Sequence, residues 1–205
     1  GGVPASELVH RRTGRAVEGI AYIPVGATME ANADSPFDSE PGTLGQALSD
    51  AGVSRAVVAN ADAAEGFVSD EPPPEGAYKR SAATALMDRN GVVPQGNVGR
   101  DLLRLDPAAP FGRRLEQAAV VRTFDETWSQ PGRSVVLVEA SDLSRAAAYA
   151  SRASAPQQAA LQAQALADSD ELLGKLLDAV DPKTDAVLVL APTAPGGLGI
   201  AALQA

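Results

Sequence analysis

The sequence has no cysteine, a single histidine and few aromatic residues. Without cysteine the chain cannot form disulfides, use a thiol nucleophile or bind a metal through thiolates. Because His10 is the only histidine, a multi-histidine metal site is excluded and a Ser-His-Asp triad is disfavoured. Aromatic residues make up 4% of the chain, which disfavours aromatic cages and base-stacking surfaces.

Long hydrophobic runs are also missing. The longest apolar stretches, within residues 134–138 and 186–191, are far shorter than the roughly 20 residues of a membrane-spanning helix. We therefore expect no membrane span in this chain. The first residues, Gly-Gly-Val-Pro, show neither a charged start nor an apolar stretch, so no signal peptide is predicted and localisation stays open.

Acidic charge is concentrated in one part of the chain. The net charge is −9, and the segment from Glu30 to Glu75 holds ten carboxylates against one base, Arg55. Such an excess repels a phosphate backbone, so we expect no nucleic-acid partner. The only basic cluster lies within the N-terminal segment 1–18, around His10–Arg15, and fits either a solvated segment or a phosphate contact.

Length and patterning predict one layered α/β domain spanning residues 1–205. The sequence is 45% apolar by residue type and contains 40 alanines, so we expect a core of Ala, Val and Leu. Strand-like and helix-like segments alternate, which favours an αβα arrangement around a central, mainly parallel sheet. The predicted strands are 19–25, 55–59, 134–138, 185–191 and 198–203, and those at 55–59, 134–138 and 185–191 are predicted to be buried. The predicted helices are 43–51, 111–128, a helix capped by Ser141 or Asp142, and 157–180 as one helix or two.

Three other segments are interpreted from turn chemistry. Residues 82–87 and 92–93 resemble a hairpin around Asn90-Gly91, with a helix over 81–88 as the competing interpretation. The acidic, proline-rich stretch 62–76 is predicted to be an exposed loop. The last strand runs to the end of the sequence without a capping element, which is typical of a domain that is incomplete at its termini.

Candidate functional residues lie where predicted strands end, because ligands of open α/β sheets bind beyond the carboxyl ends of the strands. Asn60 and Asp62 follow one strand, and Asp142 follows another. Asp142 could be a metal ligand, a general base or a helix cap. Thr28 could be a hydroxyl nucleophile, although no adjacent base is visible in the sequence.

Two further patterns carry little weight. Asp34, Asp38 and Glu40 could gather a calcium ion but lack the spacing of an EF-hand, so a solvated acidic loop is the expectation. Residues 197–202 fit Gly-x-Gly-x-x-Ala, yet the crossover helix and the later acidic residue of a dinucleotide site have no room to follow.

The order of segments from about 42 to 200 resembles the alkaline-phosphatase superfamily, and most closely the alkaline-phosphatase-like domains of bacterial membrane-anchored proteins. Three pieces carry the likeness: the helix and strand of 42–60, the strand 135–142 with its terminal Asp142, and the helix and strand of 170–190. The resemblance implies a strand that delivers a metal-binding Asp at Asp142, with Thr28 as a counterpart of the nucleophile.

The chain departs from that family at its metal ligands. Ala191-Pro192-Thr193-Ala194 stands where the family has Ser-Asp-His-Gly, and the helix after Asp142 offers Arg145 and alanines but no histidine. One aspartate cannot hold two metal ions around a transferred phosphate.

We therefore expect a degenerate relative with a vestigial site and no cofactor, acting in binding or assembly. Its partner would be another protein or the remainder of a membrane-anchored chain, and the resemblance favours an extracytoplasmic, membrane-associated location. One alternative is a phosphoric or sulfuric ester hydrolase using Thr28, Asp142 and a hard divalent ion such as Mg²⁺ or Mn²⁺. Another is a small-molecule-binding α/β module.

Overall fold

The computed structural model describes residues 5–33, 40–64, 78–191 and 199–203. Its α-helices are Ala5–Thr13 (α1), Val25–Ala33 (α2), Thr43–Asp50 (α3), Gln117–Trp128 (α4), Ser141–Tyr149 (α5) and Ala155–Leu177 (α6). Its strands are Ile20–Ala21 (β1), Ser54–Val58 (β2), Val92–Val93 (β3), Gln95–Asn97 (β4), Leu103–Leu105 (β5), Arg113–Leu115 (β6), Ser134–Val138 (β7), Val187–Ala191 (β8) and Gly199–Leu203 (β9). Short 3₁₀ helices occupy Ser81–Ala85, Arg100–Leu102, Pro110–Gly112 and Ala150–Arg152.

A parallel three-stranded sheet forms the centre of the described fold. Its order is β4–β2–β7, with Ala56 of β2 opposite Gln95 of β4 and Val136 of β7. The predicted mixed α/β class with a parallel sheet is thereby confirmed. The predicted strands at 55–59 and 134–138 are both present, and they lie side by side in the same direction. β2 is buried as predicted, whereas β7 is only half-buried because it lies at the edge of the sheet.

Strand β4 was missed because its residues, Gln95, Gly96 and Asn97, are poor strand formers. Gly96 has φ +108°, and a Cβ atom there would collide with the backbone of Val57 on β2. The missing side chain lets the two backbones approach, so glycine is needed at this position rather than merely tolerated.

Side chains from β2 enter separate clusters on the two faces of the sheet, as expected for a strand whose residues alternate in direction. Val57 packs with residues of the 83–93 segment, including Met87 and Val93. Val58 packs with Val120 of α4 and Leu172 of α6. Both clusters are built mainly from Val, Leu and Ala, which confirms the core composition expected from the sequence.

Several predicted helices match the structure closely. α3 spans Thr43–Asp50, and Gly52 beyond its end has φ +66°, the left-handed conformation expected after a helix. The segment predicted as one long helix or two is the single helix α6. In the described ranges, no helix combines the length and the apolar character that crossing a bilayer requires.

Other predictions of secondary structure are wrong in identifiable ways. The helix predicted from Phe111 begins only at Gln117, because Pro110–Gly112 forms a 3₁₀ turn with Phe111 at φ 56° and the chain then pairs as β6 with β5. The hairpin interpretation of 82–93 fails because Ser81–Ala85 is 3₁₀-helical and β3 pairs with β1 instead. The predicted strand 19–25 is reduced to β1.

The strand predicted at 185–191 is present as β8 but is not buried. It pairs antiparallel with β9 in a sheet separate from β4–β2–β7, and most of its side chains are exposed. The predicted exposed loop 62–76 lies largely outside the described residues, yet Asp62 at its start is fully buried. The prediction of an exposed loop is therefore wrong for that residue.

Candidate functional site

Polar residues gather at the carboxyl ends of β2 and β7, as the sequence predicts. Because these strands are parallel, Asn60 and Asp62 after β2 lie at the same edge of the sheet as Ser141 and Asp142 after β7. Asn60, Asp62 and Ser141 are each no more than 1% exposed. The edge is thus a buried polar network.

Asp142 does not cap a helix, although its position suggests that role. Ala140 precedes helix α5, and no side chain caps the N-terminus of this helix. Both carboxylate oxygens of Asp142 accept the backbone N–H of Leu115 on β6, at 3.1 and 3.2 Å. Arg145 donates to Oδ1 of Asp142 from Nε at 3.1 Å and from Nη2 at 2.7 Å. The carboxylate therefore joins α5 to β6.

Arg145 links this carboxylate to the end of β2. Its side chain is 0% exposed, and its Nη1 donates to the carbonyl oxygen of Asn60 at 2.5 Å. A buried guanidinium is tolerated only when its donors are satisfied, and here three donors meet acceptors with a negative or partial negative charge. Arg145 is consequently an internal structural cation at the candidate site.

Asn60 connects the ends of all three strands. Its Nδ2 donates to the carbonyl oxygens of Val98 and Gly99, just beyond β4, at 3.3 and 2.7 Å. Its backbone N–H donates to Oγ of Ser141, beyond β7, at 3.3 Å. The Ser141 hydroxyl in turn donates to a carboxylate oxygen of Glu139 at 2.8 Å. Ser141 therefore also holds strand ends together and does not cap α5.

Asp62 is bound by a second arginine. Its oxygens accept Arg80 Nη2 at 2.8 Å and the backbone N–H of Lys79 at 2.9 Å. The guanidinium of Arg80 also lies over the ring of Tyr78, 3.8 Å from its centroid. Like Asp142, Asp62 is a buried carboxylate whose charge is matched by an arginine.

A further buried arginine, Arg113 on β6, adds positive charge to this region. Burial lowers the pKa of Arg113, and the nearby charges of Arg100 and Arg145 lower that pKa further, while Asp62 opposes them. Sequence reasoning missed these arginines because arginine is rarely buried. The Asp142–Arg145 spacing of three residues on one helix was the available signal.

A small cavity of about 200 Å³ lies beside Asp142, between the 3₁₀ turn at Pro110 and helix α6. Its lining includes Arg114 and Asp168, which form an ion pair, and Arg114 also bonds Asp106 at 2.9 Å. The backbone N–H of Ala108 and the charge of Arg114 hold the pKa of Asp106 below its usual range, although burial opposes them. The cavity is smaller than typical ligand pockets, which measure roughly 300 to 1,000 Å³.

Arg114 responds in the opposite direction. Burial acts to lower its pKa, but the hydrogen bond that it donates to Asp106 and the charge of Asp168 outweigh burial and raise the pKa. Its guanidinium therefore stays charged between the carboxylates of Asp106 and Asp168.

Thr28, the candidate nucleophile, lies on helix α2 and contacts two residues that precede this helix. Its hydroxyl donates to the carbonyl oxygen of Pro24 at 3.1 Å and lies 3.4 Å from the Tyr22 hydroxyl. Neither contact reaches the network around Asp142. The structure thus brings together Asn60, Asp62 and Asp142 but does not join Thr28 to them by a hydrogen bond.

The remaining candidates do not add to the site. His10 is exposed on α1, and Glu40 pairs with Arg89 at 2.8 Å. Asp34 and Asp38 lie outside the described residues, as do Gly197 and Leu198 of the glycine pattern.

The residues at the strand ends do not fit a divalent cation. The oxygens of Asp142 already face the positive guanidinium of Arg145, which would repel a metal ion at the same place. Within residues 5–33, 40–64, 78–191 and 199–203, no three His, Asp or Glu side chains gather as a ligand set. The donor chemistry present is that of internal ion pairs.

No protein-family model matches the chain, and no curated protein or solved structure matches it significantly.

Proposed function

We propose that this chain is a non-catalytic, alkaline-phosphatase-like α/β domain with a binding or assembly role. The observation that carries the proposal is the buried pair between Asp142 and Arg145. By resemblance, Asp142 is the one residue of this chain at a metal-ligand position of that superfamily. An arginine three residues later supplies the positive charge that a metal ion would otherwise supply.

The surrounding contacts support a structural role for this aspartate. Asp142 also accepts the Leu115 N–H, so its removal would leave both a buried N–H and a buried guanidinium with fewer acceptors. A two-metal hydrolase needs several ligands on either side of the transferred group. Asp62 and Arg80 form a second pair in which an arginine matches the charge of a buried carboxylate.

The same resemblance supplies the proposed setting. The partner would be another protein or the remainder of a membrane-anchored chain, in an extracytoplasmic, membrane-associated location. The acidic composition supports a partner other than nucleic acid, because the net charge of −9 repels phosphates.

Calorimetric titration with Zn²⁺, Mn²⁺ and Mg²⁺ tests the proposal, with assays of phosphate- and sulfate-ester hydrolysis on the same samples. We compare the unmodified chain with Asp142→Asn and with Asp178→Asn, a control at an exposed aspartate. We expect no stoichiometric metal binding and no metal-dependent hydrolysis in any of them. Asp142→Asn should nevertheless lower the melting temperature, because a structural carboxylate is lost, whereas Asp178→Asn should not.

The opposite pattern would favour the hydrolase. Binding of about two metal ions, together with hydrolysis that Asp142→Asn abolishes and Asp178→Asn preserves, overturns the proposal.

A further inference from the structure

Strand β8 exposes apolar side chains on both of its faces. Leu188, Val189 and Leu190 are 60%, 38% and 51% exposed. Since successive residues of a strand point to opposite faces, neither face of β8 is covered. A strand that is apolar on both faces is typical of the interior of a sheet with layers on both sides.

The hairpin formed by β8 and β9 is separate from the central sheet. Its ladder joins Val187 to Leu203 at one end and Ala191 to Gly199 at the other. In the described part of the chain, β8 has no ladder partner on its second edge. An isolated two-stranded hairpin is marginally stable in water, so further pairing would stabilise it.

The central sheet offers a matching edge on β7. One edge of β7 pairs with β2, and the other has no ladder partner among the described residues. Like β8, β7 has five residues and no charged side chain, and Val135 on it is exposed. The edge also lacks the lysines and prolines with which natural proteins block strand addition.

The distribution of charge indicates that a second copy can meet the first at β7 and β8. It also indicates whether the two strands pair in parallel or antiparallel. Two copies with a net charge of −9 repel each other, and this repulsion is weakest where the facing surfaces carry no charge. Parallel pairing of β8 with β7 would place Asp185 near the exposed Arg133, just before each strand begins. Antiparallel pairing would instead place Asp185 near Glu139, an unfavourable like-charge contact.

We propose that β8 of one copy adds in parallel to the free edge of β7 in a second copy. The exchange is reciprocal, with β8 of each copy on β7 of the other, so it closes as a twofold dimer. The connection 178–186 between α6 and β8 contains nine residues and can extend about 30 Å, which lets the hairpin reach a neighbour. The contact is strand addition, in which backbone hydrogen bonds supply affinity and alternate side chains supply specificity.

Disulfide trapping tests the partner and the register together, because the chain has no cysteine of its own. Ser134→Cys and Val187→Cys, the first residues of β7 and β8, are prepared separately, mixed and oxidised. We expect a disulfide-linked heterodimer. Leu105→Cys, at an exposed apolar position on β5, is the matched control and should not cross-link with Val187→Cys.

Two results overturn the proposal. One is a chain that stays monomeric by light scattering across a dilution series. The other is a Ser134→Cys/Val187→Cys double variant that forms its disulfide within a single copy, which would show that β8 pairs with β7 of the same chain.

A charge introduced on β8 provides a second measurement. Leu188→Lys should weaken dimerisation at least about tenfold, because it places a lysine in the apolar contact. Leu105→Lys, whose side chain is 66% exposed, should leave the dimer unchanged. Equal effects of the two substitutions would contradict the proposed contact, provided that circular dichroism shows both variants folded.

Discussion

In strands β2 and β8, the polarity of the side chains does not predict their burial. β2 contains a charged residue, Arg55, and is almost wholly buried, whereas β8 contains only apolar residues and is mostly exposed. Arg55 is accommodated because its Nη1 donates to the carbonyl oxygen of Leu86 at 2.9 Å. Burial therefore depends on the layers and partners that a strand meets, and apolar sequence alone does not ensure it.

The same comparison distinguishes the two proposals. The polar network beyond β2 is closed inside the chain, with carboxylates matched by arginines, and this supports a site without a metal. The apolar strand β8 remains open to solvent and supports an interaction between copies.

The largest effect is expected at Arg145. Arg145→Met removes the cation that faces the buried Asp142, and breaking a buried pair in this way destabilises a protein by about 3 to 5 kcal/mol. Urea unfolding measures the change. Arg122→Met is the control, because that arginine is exposed on α4, away from both proposed sites, and its effect should stay within about 0.5 kcal/mol.

The double variant Asp142→Asn/Arg145→Met sharpens this prediction. It removes both charges, so it should be more stable than Arg145→Met alone, because no uncompensated carboxylate remains buried. If Arg145→Met is as stable as the unmodified chain, Arg145 is not the structural cation that the site requires.

A matched pair of leucines tests the comparison of buried and exposed strands directly. Leu102 is 0% exposed between β4 and β5, and Leu188 on β8 is 60% exposed. We expect Leu102→Ala to lower the free energy of unfolding by about 2 to 5 kcal/mol. Leu188→Ala should change it by about 0.5 kcal/mol or less when measured on the dissociated chain. Similar losses at the two positions would mean that β8 is covered within a single copy.

Sequence reasoning succeeded where local pattern decides the structure. α3, α6 and the paired strands β2 and β7 follow from apolar spacing and from turn residues such as Gly52. It failed at Phe111, whose apolar spacing looked helical although Pro110–Gly112 adopts a tight turn with a positive φ. The pattern of β8 indicated a buried strand, because sequence records side-chain polarity and not the presence of a covering layer.

The candidate site shows the same limit. The sequence placed Asn60, Asp62 and Asp142 just after strands, and the structure brings them to one edge of the sheet, since parallel strands bring their carboxyl ends together. The roles of these residues depend on Leu115 and Arg145, the first of which is 27 positions away from Asp142 in sequence. Capping was the wrong expectation because a partner on β6 cannot be read from the spacing around α5.

The smallest change in the free energy of unfolding is expected when two helical glycines are replaced by alanine. Gly45 on α3 is buried, and a Cβ atom there would collide with the backbone carbonyl of Met87, whereas Gly174 on α6 has open space around that position. Alanine favours a helix over glycine by about 0.5 to 1 kcal/mol, so Gly174→Ala should stabilise the chain by about that amount.

At Gly45 the same propensity gain is outweighed, because overpacking of a core costs about 1 to 3 kcal/mol. Gly45→Ala should therefore destabilise the chain, and urea unfolding of the two variants should give changes of opposite sign. Stabilisation by both substitutions would contradict this prediction. It would mean that α3 leaves room for a methyl group between Gly45 and the backbone of Met87.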